Sequence, residues 1–370
     1  MPDYETLQLI WWLILGALLI GFAVADGFDL GVGAIFRFVG RSDEERRALL
    51  ESIEPVWEGN QVWFVLAGGA TFAAWPRLYA ASFSGLYLAM FLLLVALILR
   101  PVGFNFRGKR ADARWRDVWD WALCLGGAVP ALLFGVAFGN LFFGIPLHFD
   151  ALLRPVSGGG FFNLLHPFAL LVGAISLAML VMHGASYAAL KTGEPMAGRA
   201  AAVGRVAGPL YVVLFLLAGV WLALAIDGHR LVGAGSAASV TRATGAWLDN
   251  YRAHPPLWLV PLAAIMAGAA NWALLRARRA LGAFLASALA VAATILSGGI
   301  ALFPFFLPSS TYPNEGLTVW NAASSQRTLF IMLIVVLVLL PVVLAYTAWV
   351  FGALRGRITL EELRGHGDQY

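Results

Sequence analysis

The sequence predicts an all-α, polytopic membrane protein with about nine transmembrane helices. Three observations predict it. Of 370 residues, 60% are hydrophobic and only 12% charged, with a mean hydropathy of +0.78. A soluble domain carries about a quarter charged residues, so this chain has too little polar side chain to cover a water-facing surface. Apolar stretches of about 20 residues, long enough to cross the hydrocarbon layer, recur from end to end. Basic residues cluster in alternate connections between them. The polar–apolar alternation of a barrel strand is absent, which leaves helices to satisfy the backbone in lipid.

Taken in order, the stretches run over residues 7–36, 52–75, 78–99, 118–142, 162–190, 203–226, 257–275, 281–306 and 329–351. The first follows MPDYETLQ, which has no basic segment, and it is too long for a cleavable signal, so it reads as its own insertion signal. With the N-terminus outside, the inner connections hold Arg37, Arg41, Arg46 and Arg47, then Arg100, Arg107, Lys109, Arg110, Arg114 and Arg116. They also hold Lys191, Arg199, Arg205, Arg276, Arg278 and Arg279, and the tail adds Arg355, Arg357 and Arg364. Only Arg77, Arg154, Arg230, Arg242, Arg252 and Arg327 fall outside. The positive-inside rule therefore predicts a periplasmic N-terminus and a cytoplasmic C-terminus. It also accounts for the net charge of +4 without nucleic acid as a partner. The outer loops, about 143–161 and 227–256, are too short to fold as domains. Residues 1–370 thus read as a single integral membrane domain, divisible into two four-helix halves and a ninth helix.

Chemistry must come from ionisable groups inside the spans, which are costly there and so point to function. Asp26 and Asp29 share one helical face at i, i+3, as do Asp117 and Asp120; Glu54 and Glu58 stand at i, i+4. All three pairs fall toward the inner membrane face. Acids on three helices at one depth suit a proton inlet. The plainer reading is a set of first-turn carboxylates favoured by helix dipoles, with Arg114 or Arg116 near enough to pair with Asp117 or Asp120. Glu58, about six residues into the second stretch, lies roughly 9 Å along that helix. Asn60 and Gln61 are close in sequence and could hold water, though Gln61 points elsewhere on the helix.

Of the histidines, His148, His229 and His254 fall in outer loops, His366 in the tail, and His166 before Pro167. Only His183 lies within a span. One membrane histidine without a second ligand reads as a packing residue rather than a haem ligand. The single Cys124 excludes an intrachain disulfide and a thiolate cluster. Gly27, Gly31, Gly33, Gly68 and Gly69 permit close helix contact. GFDLGVG has no strand before it, which rejects a nucleotide loop. Trp57, Trp115, Trp119 and Trp121 suit an interfacial belt.

The blocks FAVADGFDLGVG, PVWEGNQVWFVLAGGATFAAWP, YAASFSGLYLAMFLLLVALILRPVGFNFR, RWRDVWDW, VPALLFGVAFGNLFFGIP, ILSGGIALFPFFLPSSTYP and LTVWNAASSQRTL follow one another along the chain. In this order they resemble subunit II of the cytochrome bd-type quinol oxidases. The resemblance implies a bacterial cytoplasmic-membrane enzyme that reduces oxygen to water with electrons from quinol and builds a proton gradient without pumping. It implies that subunit I, the partner, carries haem b and haem d, and that this chain binds none and is not catalytic alone. Glu58 falls where relatives commonly have an aspartate implicated in a proton path, and Trp63 matches a tryptophan near the oxygen entry route. Asp26, Asp29 and Asp120 match further acidic positions. A structural quinone, lipids and small single-helix subunits are compatible with the resemblance. The alternative reading of the same spans and acids is a proton-coupled secondary transporter.

Overall fold

The computed structural model describes residues 2–158, 160–233 and 239–361; Arg364 and His366 lie outside them. The chain opens on α1 (Tyr4–Val39), whose first turn is capped by Asp3 accepting from the Thr6 amide at 2.9 Å. At 36 residues it is longer than a bilayer core requires, and from Asp26 to Phe36 every residue is buried. It is the central helix. Glycines set how closely its neighbours approach. A Cβ on Gly31 would collide with the Leu180 carbonyl oxygen, and one on Gly127 would meet the Leu30 carbonyl at 2.5 Å. Gly68 and Gly69 differ from expectation: nothing in the described chain lies within 4 Å of a Cβ at either, so they open outward.

A short amphipathic helix, α2 (Asp43–Glu51), follows α1. Ser42 and Glu45 form a reciprocal capping box at its start. The second membrane stretch then begins later than the apolar pattern suggests. Residues 52–56 make consecutive turns around Pro55, and α3 runs only from Trp57 to Ala74. The third stretch is broken too, into α4 (Pro76–Gly85) and α5 (Tyr87–Arg107). Next come α6 (Ala113–Phe143) and a hairpin of β1 (Leu147–Phe149) with β2 (Pro155–Ser157). α7 (Pro167–Lys191) and α8 (Met196–Ala225) lead to a second hairpin, β3 (Asp227–Val232) with β4 (Ser239–Thr244). After the single turn α9 (Asp249–Ala253) come α10 (Leu259–Arg276) and α11 (Ala280–Leu302). The strands β5 (Phe305–Leu307) and β6 (Leu317–Thr318) precede α12 (Gln326–Ala353).

Eight of these helices are long and apolar enough to cross a membrane: α1, α5, α6, α7, α8, α10 with the turn before it, α11 and α12. α3 falls short in apolarity because Glu58, Asn60 and Gln61 occupy its first turns. It nevertheless links the same two ends of the bundle. Near its start Asn60 meets α1 at Asp29; at its end the Trp75 indole donates to the Val319 carbonyl.

The two ends are built differently. At one, the hairpins pack on one another: Arg242 donates to the carbonyls of Ser309 and Ser310, and the Trp247 indole donates to the Phe142 carbonyl. The start of α1 joins this end, with the Trp11 indole donating to Leu329. His229 is buried here beside Trp247 and Phe305, and burial pushes its pKa down to about 4. At the other end, α2, the α7–α8 connection and the segment after α12 come together. Arg199 donates to both oxygens of Glu45 and, with the backbone donors at α2's start, holds that carboxyl at about 2. Lys191 donates to the Leu354 and Gly356 carbonyls, tying down α12. That tie matters because Leu329 is the sole buried residue of α12 among the described ones.

Candidate functional site

The intramembrane acids sort into three environments rather than one inlet. Asp26 and Arg100 form a bidentate pair, with Nη2 to Oδ1 at 2.9 Å and Nη1 to Oδ2 at 3.1 Å. Their side chains are 0% and 3% exposed. Such a pair holds its geometry tightly but survives burial only because both oxygens are satisfied. The Arg100 guanidinium also lies 5.6 Å from the ring centre of Trp57. One turn along α1, Asp29 accepts from Asn60 Nδ2 at 2.8 Å through Oδ2, and its buried Oδ1 has no partner among the described residues. Asp26, Asp29, Asn60, Trp57 and Arg100 are thus one cluster from α1, α3 and α5.

Asp120 belongs to a second layer. Arg107, seven residues beyond Arg100 and so roughly 10 Å further along α5, donates to it from Nε at 2.5 Å. Arg46 donates to its other oxygen at 2.8 Å. Arg107 also reaches Asp43, which pairs with Arg116. Asp117 pairs with Arg37 at 2.6 Å. The expected partners Arg114 and Arg116 are therefore replaced by Arg37, Arg46 and Arg107. The expected single depth is replaced by two. Local spacing suggested neighbours in sequence; packing supplied arginines from α1, α2 and α5.

Glu58 stands apart from both layers. It is in the first turn of α3, not six residues in, because the turns at 52–56 precede the helix. It is exposed on the chain's outer surface. Successive helix residues turn by about 100°, so Asn60 sits on the opposite face from Glu58 and Gln61 on the same one. Accordingly Asn60 is buried against Asp29, while Gln61 is half-buried. This reverses the expectation that Gln61 points elsewhere. Trp63 is 9% exposed and lies over α1, where a Cβ on Gly21 would be 2.7 Å from its ring.

His183 and His166 are committed to structure. His183 Nε2 is 2.9 Å from the Val24 carbonyl, Nδ1 is 2.8 Å from Ser287 Oγ, and the ring stacks on Phe284. His166 caps α7, its Nδ1 accepting from the Ala169 amide, with Pro167 in the first turn where its missing N–H costs nothing. Arg100, Arg107 and Arg46, which pair with Asp26 and Asp120, are candidate-site residues that the sequence marks only as topology signals. The available clue was Asp26: an acid placed mid-span needs a cation, and ILRPVG puts one at the end of a span.

A family model described as cytochrome bd terminal oxidase subunit II matches residues 7–354. Subunit 2 of the Escherichia coli K12 cytochrome bd-I ubiquinol oxidase is 48% identical over 371 residues, 98% of each chain. Subunit 2 of the Bacillus subtilis cytochrome bd ubiquinol oxidase is 30% identical, covering 95% of this chain and 97% of that one. In fold, the chain resembles one from the bd oxidase of Geobacillus thermodenitrificans, with a TM-score of 0.70 at 18% identity, covering 94% of this chain and 99% of that chain.

Proposed function

The chain belongs to the cytochrome bd terminal oxidase subunit II family, and on that premise we propose how it serves its complex. It is a multi-pass inner-membrane subunit of a quinol oxidase that reduces oxygen. The stand-alone transporter reading has no support from its relatives. It crosses the membrane nine times, counting α3, with its N-terminus periplasmic and its C-terminus cytoplasmic. The separation of chain ends and the distribution of basic residues support this. A reporter active only in the periplasm should stay silent when fused to the C-terminus; activity there means the count is off by one.

The observation that carries the functional reading is the outward carboxyl of Glu58, which meets no partner among the described residues. On a membrane bundle such a group is too costly to leave in lipid. The face around it includes Gly59, Val62, Val65 and Gly69, the two valines 47% and 67% exposed. We assign this face to the seam with the haem-bearing subunit I, and Glu58 to the delivery of cytoplasmic protons through that seam. Reducing one O2 to two waters consumes four protons, and a buried site needs titratable groups to pass them on. Asp26 and Asp29 form an interior proton-holding cluster beside this route. Asp120, with both oxygens on guanidiniums, anchors the cytoplasmic end.

Haem b and haem d belong to the partner. His183, with both ring nitrogens engaged, supports a chain without haem of its own. Expressed alone in detergent the chain should show no Soret band, whereas it should co-purify one-to-one with the haem-bearing subunit. A stoichiometric haem in the lone chain refutes this. Trp63 lines the oxygen route. Trp63→Ala should alter the apparent oxygen affinity at least about threefold more than the quinol affinity, because only a channel residue acts on one substrate. Equal changes in both would leave Trp63 as packing against Gly21.

A further inference from the structure

Around the α2 end of the bundle most basic side chains are occupied by acids: Arg37, Arg46, Arg107, Arg116 and Arg199 all form ion pairs. The turn between α10 and α11 is different. Arg276, Arg278 and Arg279 fall within four residues, all exposed, and none meets an acid among the described residues. Arg276 lies 5.4 Å from the Trp272 ring centre, on the outer surface of α10. Arg205 of α8, also exposed, follows Gly204, whose added Cβ would be 2.6 Å from Leu275 of α10. Four exposed arginines thus lie on the facing ends of α8, α10 and α11, and among the described residues none is paired with an acid to offset their repulsion.

Backbone geometry adds a second observation. α10 ends with the Arg279 backbone amide donating to the Leu274 carbonyl and the Arg278 backbone amide to that of Leu275, with residue 278 in the left-handed region at φ 57. Glycine is the residue such an ending favours. Residue 278 is instead an arginine, and it is exposed. Directly below, α11 presents Leu281, Leu285 and Leu289 outward, at 58%, 59% and 54% exposed. An apolar stripe thus runs into the bilayer from a cationic head.

We propose that the α10–α11 turn, with Arg205, binds the phosphate headgroup of an anionic phospholipid of the cytoplasmic leaflet, its acyl chain lying along Leu281, Leu285 and Leu289. Guanidinium forks match phosphate oxygens in pairs, and each juxtamembrane arginine adds to the attraction. The leaflet rests on the orientation proposed above. A wrong orientation would move the lipid to the other leaflet without abolishing binding, and the C-terminal reporter reads that separately.

The assembled oxidase is stripped of lipid and placed in nanodiscs of phosphatidylglycerol and phosphatidylcholine, and retained lipid is counted by native mass spectrometry. The parent should retain phosphatidylglycerol selectively. Arg276→Gln, Arg278→Gln and Arg279→Gln together should weaken that retention roughly a hundredfold, while Arg41→Gln with Arg114→Gln should not. A second measurement needs no variant: phosphatidylglycerol should protect the three arginines of the parent from phenylglyoxal, as located by peptide mapping. Unselective retention, undiminished retention in the triple variant, or absence of protection each overturns the proposal. Equal protection by inorganic phosphate in a phosphatidylcholine disc overturns the lipid assignment in favour of a free-anion site.

Discussion

Arg100→Met should abolish accumulation of the assembled oxidase. The substitution keeps the apolar bulk along α5 but leaves Asp26 fully buried with no cation. Removing one partner of a buried ion pair costs about 3–5 kcal/mol, a large share of a typical folding stability of about 5–15 kcal/mol. Arg100→Lys should rescue only in part, since a point charge cannot reach both Asp26 oxygens as the fork does. The decisive variant is Arg100→Met combined with Asp26→Asn. Deleting the charge from both partners removes the penalty, and assembled complex should return, measured as haem co-purified per subunit. A double variant no better than the single one would mean that Arg100 matters for something other than Asp26. The alternative partner in the same cluster is Asp29, one turn from Asp26 on α1, and adding Asp29→Asn to the single variant tests it in the same assay.

Glu58→Gln should give an oxidase with full haem content that consumes oxygen at least about tenfold more slowly. Glutamine keeps the size and hydrogen bonding of Glu58 but cannot release a proton. The deficit should widen as pH rises from about 6 to about 9, because scarce protons make the relay more limiting. Glu58→Asp keeps a carboxyl one methylene shorter and should retain most of the activity. That comparison separates relay from seam packing: a purely packing residue tolerates the isosteric glutamine better than the shortened aspartate. Parental turnover by Glu58→Gln across that pH range removes Glu58 from the proton path.

The membrane class, the approximate spans and the family motifs were legible in the sequence because each depends on residues close together in the chain. Hydrophobic length is a local property, and so is the charge of a connection. Boundaries were less legible where apolar composition ran on through turns, as at 52–56 before α3 and at Leu86 before α5. The acids were identified individually, since an aspartate within an apolar run is conspicuous by itself. Their partners were not. Asp26 meets Arg100, 74 residues away, and Asp120 meets Arg46 at the same separation. Nothing local selects those pairs.

Local composition and spacing thus place this chain in the membrane and put acids within or beside particular spans. Long-range packing selected what each acid meets. It gave Asp26 and Asp120 to arginines, left one oxygen of Asp29 free, and turned Glu58 outward. The physical reason is the low dielectric of the interior. A buried charge there is tolerable only beside an opposite charge or a donor. Which donor is available depends on helix neighbours and on the 100° step between residues, and both are settled by packing glycines such as Gly31 and Gly127 against facing backbones.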